Sequence, residues 1–141
     1  MNHKPMLNAY PDSLGGNLGD IVTLLKTEAM QDVFSSFYIL PSLYHSDLDR
    51  GFSVIDYDLN EQLANREDLD QLKNMGIDLK LDFILNHASA QSPQFQDLVE
   101  KGEASAYRDF FIDWNRFWEG HGTMTEEGYI QPDESCLKQM F

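Results

Sequence analysis

The stretch Leu79 to Leu85 is apolar at Leu79, Leu81, Phe83, Ile84 and Leu85. A run of that length and continuity suits a strand covered on both faces by helices, the situation of strands in parallel sheets. Asn86 and His87 follow it directly. They therefore fall at the carboxyl end of the expected sheet, where α/β folds place their chemistry.

The segments before this run fit the same architecture. Met6 to Tyr10 is a short hydrophobic run closed by Pro11-Asp12-Ser13 and Gly15-Gly16, which reads as a strand and its loop. Asn17 is placed to cap a helix whose apolar stripe is Leu18, Ile21, Val22, Leu24 and Leu25. Val33 to Leu40, β-branched and aromatic, predicts a second strand ended by Pro41. A long loop is expected from Ser42 to about Asn60, then a helix within Glu61 to Met75 stopped by Gly76, with the third strand starting at Ile77. Strand, helix, strand, helix, strand is the order of consecutive right-handed βαβ units and of a parallel sheet. After His87 the pattern breaks. Pro93 to Lys101 and Glu103 to Phe111 read as short helices, and Trp114 to Phe141, rich in aromatics, glycine and turn residues, reads as an inserted excursion.

Composition removes several classes of function. With 24 acidic and 10 basic residues the net charge is −14, which argues against nucleic acid and anionic membrane as partners. No stretch approaches the ~20 apolar residues of a membrane span, and Met1-Asn2-His3-Lys4-Pro5 has no signal-peptide core behind it, so a cytoplasmic location is expected. Cys136 is the single cysteine, which excludes an internal disulfide and a zinc site of paired thiolates. His3, His45 and His121 have no metal-ligand spacing, so no metal and no cofactor is expected.

Two readings stand for each prominent polar residue. Asp49, within Asp49-Arg50-Gly51-Phe52, offers what a sugar pocket needs: a carboxylate to accept from hydroxyls, a glycine for close backbone approach and a ring to stack on a sugar face. Aspartate and glycine are also ordinary turn residues, and Asp49 could simply stabilise the loop. His87 could donate a hydrogen bond to a substrate hydroxyl from a rigid strand end, or bond to the backbone there. Asn86 could pin the following turn. Trp114, Phe117 and Trp118 have the spacing of the core of a local helix.

Together these segments resemble glycoside hydrolase family 13, the α-amylase family, and within it the sucrose phosphorylase group. The resemblance rests on Asp82 … Asn86-His87, Tyr10 with Leu14-Gly15, Ile39-Leu40-Pro41, Asp49 … Gly51-Phe52 with Asp56-Tyr57, and Gln94-Phe95-Gln96-Asp97. The run from Phe111 to Gly120, continued by Met124 to Pro132, is most similar to sucrose 6(F)-phosphate phosphorylases and their glucosylglycerate phosphorylase relatives.

The resemblance implies the amino-terminal part of a (β/α)8 TIM barrel, about three strand–helix units over residues 1–88, and the start of an inserted B domain over 89–141. It implies retaining phosphorolysis of sucrose 6-phosphate or sucrose to α-glucose 1-phosphate. In such chemistry two carboxyl groups stand about 5 Å apart. Both are expected on later strands, beyond Phe141, since a whole barrel takes ~250 residues. What carries over is substrate binding: Asp49 and His87 as partners of glucosyl hydroxyls and Phe52 as an aromatic wall, with Asp82 and Asn86 supporting the strand end. The partners implied are a sugar or sugar phosphate and inorganic phosphate. A glucosylglycerate phosphorylase, an α-glucosidase or amylase-like hydrolase, a carbohydrate-binding α/β module without catalysis, and a purely structural α/β domain are the alternative readings.

Overall fold

The computed structural model describes residues 4–41 and 43–139, and of Asp49 the backbone alone. The start Met1-Asn2-His3, Ser42 at the head of the expected loop, and Met140-Phe141 lie outside the described residues. The chain divides into two compact units, Met1–Gln96 and Asp97–Phe141.

The first unit is built on a three-stranded parallel sheet ordered β1-β2-β5, formed by β1 (Met6–Ala9), β2 (Ser36–Ile39) and β5 (Asp78–Leu81). Leu7, Phe37 and Leu79 share one register row, and Asn8, Tyr38 and Lys80 the next. Side chains alternate between faces along a strand, so these two rows project from opposite faces of the sheet. The Leu7–Phe37–Leu79 face packs under two helices, α1 (Leu18–Leu25) and α2 (Arg66–Asn74). Leu18, Ile21, Val22, Leu25, Phe37, Ile39 and Leu72 are buried there. Each such side chain contributes about 1.5–3 kcal/mol of transfer free energy.

Both helices start on a reciprocal cap. Asn17 accepts at the start of α1 while Asp20 returns to the Asn17 backbone, and Asn65 and Asp68 do the same for α2. These bonds satisfy amide groups that a helix start otherwise leaves without partners. At the other end of α2, Gly76 has φ +72°, a left-handed conformation that a side chain disfavours, and it stops the helix at the position expected of it.

Four expectations are corrected. The segment expected as a loop from Ser42 to Asn60 contains an antiparallel hairpin, β3 (Tyr44–Ser46) with β4 (Val54–Leu59), whose register shifts between Tyr44 and Ser46. The third strand ends at Leu81 and not at Leu85. Its ladder partner gives out first, because β2 ends at Ile39 and is followed by Leu40, which bonds to Ala9, and then by Pro41, which has no N–H to give. Phe83 and Leu85 are accordingly 65% and 73% exposed, so the cover expected on both faces does not reach them. The second strand is shorter than Val33 to Leu40, and Glu103 to Phe111 forms two 3-10 turns, Gly102–Ala104 and Arg108–Phe110, in place of a helix.

Helix α3 (Pro93–Lys101) runs through the point of division. The second unit then holds α4 (Trp114–Phe117), the hairpin of β6 (Gly122–Met124) and β7 (Ile130–Pro132), and α5 (Glu134–Leu137). Trp118 and Ile130 are buried in it, and Trp114 Nε1 donates to the Ile130 carbonyl at 2.7 Å. Gly122 admits no side chain, since a Cβ there would lie 2.2 Å from the Gln131 carbonyl oxygen. No helix among the described residues is long and apolar enough to cross a membrane.

Candidate functional site

The carboxyl ends of β1, β2 and β5 point the same way, so Tyr10, Pro41 and Asp82 stand at one edge of the sheet. Asp82 is held there by Tyr38, whose hydroxyl donates to its Oδ2 at 2.6 Å. The Lys80 ammonium lies 3.9 Å from the centre of the Tyr38 ring, a cation–π distance. The bond to Asp82, more than partial burial, holds the Tyr38 phenol above its ordinary range. Since the folded-state value is the raised one, the bond contributes fully below about pH 10 and is lost as pH rises through the folded value. Tyr38 is therefore expected to ionise above the ordinary tyrosine range in an ultraviolet titration. Asp82→Ala should move that step to lower pH, and an unchanged titration curve would refute the assignment.

The hairpin of β3 and β4 meets the exit of β5. Asp56 in β4 accepts from His45 Nδ1 at 2.8 Å and from the Asp58 amide at 2.9 Å, which fixes the protonated nitrogen of His45 as Nδ1, because a carboxylate only accepts. Tyr44, Tyr57 and Phe83 form a ring chain with centroids 5.4 and 4.8 Å apart, and the Tyr57 hydroxyl donates to the Ile84 carbonyl. Burial, with a smaller contribution from Tyr44, pushes the Tyr57 phenol up. These contacts clamp the exit of β5 onto β4.

Two further ties converge on the connection between β3 and β4. Arg50, with φ 42° and ψ 56°, sets its guanidinium 4.1 Å from the Tyr10 ring centre, and its Nη2 is 2.6 Å from Asp12 Oδ1. Asp47 accepts from the Ser53 hydroxyl at 2.6 Å, the Leu48 amide at 2.8 Å and the Ser89 hydroxyl at 2.6 Å. Hydrogen bonds from Ser53 first and Ser89 second hold its carboxyl below the usual carboxylate range.

Asp49 lies in the 3-10 turn Asp49–Gly51, and its side chain is outside the described residues. Phe52 follows that turn and is half-buried. Asn86 and His87 are exposed in the irregular stretch after β5, and among the described residues neither side chain has a hydrogen-bond partner. The stretch is nevertheless fixed: two residues beyond His87, the Ser89 amide donates to the Val54 carbonyl at 2.8 Å. The turn with Asp49 and Phe52 and the segment with His87 are thus stitched together. Sequence reasoning does not find Tyr38, Asp47, Ser89, or the His45–Asp56 pair. Tyrosine, serine and aspartate in strands and turns carry no signal of their own, and the Asp47–Ser89 bond joins residues 42 positions apart. Among the described residues, no group of three His, Cys, Asp or Glu side chains could hold a metal ion.

A parallel sheet under helices, with aromatic rings and carboxylates at the carboxyl ends of its strands, defines an α/β protein. The chain belongs to the α-amylase family, glycoside hydrolase family 13: residues 9–141 match the family "Alpha amylase, catalytic domain". It is 54% identical over 139 residues, 99% of this chain, to the sucrose 6(F)-phosphate phosphorylase of Ilumatobacter coccineus, of which it covers 27%. It is 40% identical over 118 residues, 82% of this chain, to the sucrose phosphorylase of Streptococcus mutans, of which it covers 24%. The crystal structure of sucrose 6F-phosphate phosphorylase from Thermoanaerobacter thermosaccharolyticum superposes with a TM-score of 0.77 at 36% identity, over 85% of this chain and 24% of that one. The chain spans about a quarter of the length of these relatives.

Proposed function

We propose that this chain supplies the first strand–helix units, and with them part of the glucosyl-binding subsite, of a retaining phosphorylase acting on sucrose 6-phosphate and phosphate. The observation that carries the reading is the 54% identity to a sucrose 6(F)-phosphate phosphorylase along 99% of the chain. In this reading residues 1–88 are barrel and residues 89 onward begin the inserted B domain. Asp49 and His87 meet glucosyl hydroxyls, Phe52 walls the same subsite, and Asp82 and Asn86 hold the strand end. The reaction proceeds in two displacements. A carboxylate attacks the anomeric carbon and expels fructose 6-phosphate, which takes a proton from the acid/base carboxyl; phosphate then displaces the carboxylate to give α-glucose 1-phosphate. Both reacting carboxyls would lie outside this chain. A cytoplasmic location follows from the same reading, because a phosphorylated disaccharide and glucose 1-phosphate are intracellular metabolites. Sucrose itself is the second candidate substrate, favoured by the 40% identity to a sucrose phosphorylase.

The test joins this chain to the Ilumatobacter coccineus relative in place of its matching segment. The chimera is expected to release glucose 1-phosphate from sucrose 6-phosphate and phosphate, while the isolated chain releases none. Turnover by the isolated chain, or a folded chimera without phosphorolysis, would overturn the proposal.

A further inference from the structure

We infer that Asp47 is a positioning residue that ties together the segments carrying Phe52 and His87, and so sets the shape of the glucosyl-binding subsite; this rests on the reading just given. One carboxylate collects donors from three places in the chain. Oδ1 accepts from the Leu48 amide and the Ser53 hydroxyl, at the two ends of the connection between β3 and β4, and Oδ2 accepts from the Ser89 hydroxyl. At 2.6 Å the two hydroxyl bonds have the length of charge-assisted ones. Ser89 is 1% exposed, and its hydroxyl both donates to Asp47 and accepts from the Gln91 amide at 2.9 Å. The Ser89 amide meets the Val54 carbonyl beside it, so the tie is double.

The spacing makes the tie act on the proposed subsite. Asp47 precedes Asp49 by two residues, Val54 follows Phe52 by two, and Ser89 follows His87 by two. None of the three clamp residues needs to touch sugar. An amide at position 47 keeps the size but one oxygen only, and its Nδ2 cannot accept from Ser89. The buried Ser89 hydroxyl would then lose its acceptor, and the His87 segment would be free to shift against the turn. Shifts near 1 Å in a binding constellation cost up to ~10²-fold in rate.

The experiment uses the chimera with Asp47→Asn, Ser89→Ala and both together. Each single variant is expected to raise KM for the two glucosyl-bearing reactants, sucrose 6-phosphate and glucose 1-phosphate, by about tenfold. KM for phosphate and for fructose 6-phosphate should stay within about twofold, and the double variant should be no worse than either single one, as for residues sharing one bond. Unchanged glucosyl KM values, or a rise spread equally over all four reactants, would overturn the inference. If the parent chimera folds but has no activity, the phosphorylase reading fails and the tie is judged by amide hydrogen exchange in this chain. Asp47→Asn should then speed exchange at Ser89 and Gln91 while leaving the β1–β2 amides unchanged; equal protection in both proteins sinks it.

Discussion

Phe37→Ala is expected to unfold the first unit or to bring it to the edge of unfolding. Phe37 is fully buried at the centre of the middle strand, with β1 on one side and β5 on the other. It packs into the cluster that holds Leu18, Ile21, Val22 and Leu72. Removing such a ring costs about 3–5 kcal/mol in transfer and cavity terms. Small domains have only ~5–15 kcal/mol in hand. The helices of this unit pack on one face of the sheet and, among the described residues, β5 presents an unpaired edge, so a loss of that size is expected to take up much of such a margin. With a urea slope of about 1–3 kcal/mol/M the midpoint should fall by ~1 M or more, or the folded baseline should vanish. Phe83→Ala is the control, since its side chain is 65% exposed, and a change within about 1 kcal/mol is expected there. Equal midpoints for Phe37→Ala and the unsubstituted chain would show that the core does not lie where the packing places it.

The parts of this fold that are legible in the sequence are those whose cause is local. Asn17 before an apolar stripe, and Gly76 after one, are caps whose physics is contained in a few consecutive residues, and both act as expected. The parallel order follows from strand and helix alternation, which the registers confirm. The hairpin is hidden because β3 and β4 are joined without a short turn signature such as Asn-Gly, and their register shifts midway. The third strand reads too long because hydrophobicity reports burial, whereas a strand ends where its neighbour stops offering hydrogen bonds. Of the site, the segments are legible and what joins them is not. Asp47 to Ser89, Tyr38 to Asp82 and Tyr57 to Ile84 are contacts across 27 to 44 positions, visible only once the chain is folded.

His87→Ala in the chimera is expected to lower kcat/KM for sucrose 6-phosphate by about tenfold or more, the scale of losing one hydrogen bond to the substrate. The imidazole suits that role in this structure. Its segment is fixed on both sides, by Tyr57 at Ile84 and by Val54 and Asp47 at Ser89, while the ring itself has no partner among the described residues and is exposed. A histidine that served only to hold a strand end would be expected to spend its nitrogens on the protein, as His45 does on Asp56. His87→Gln, which keeps a donor at a similar reach, should recover part of the loss. The two roles separate most cleanly with deoxyglucosyl analogues of the substrate. Against the analogue that lacks the bonded hydroxyl, the parent chimera should already be slow and His87→Ala should cost little more, because one interaction cannot be lost twice. A His87→Ala chimera within twofold of its parent would return His87 to a structural part, and equal losses against every analogue would assign its effect to the shape of the loop rather than to a bond with the sugar.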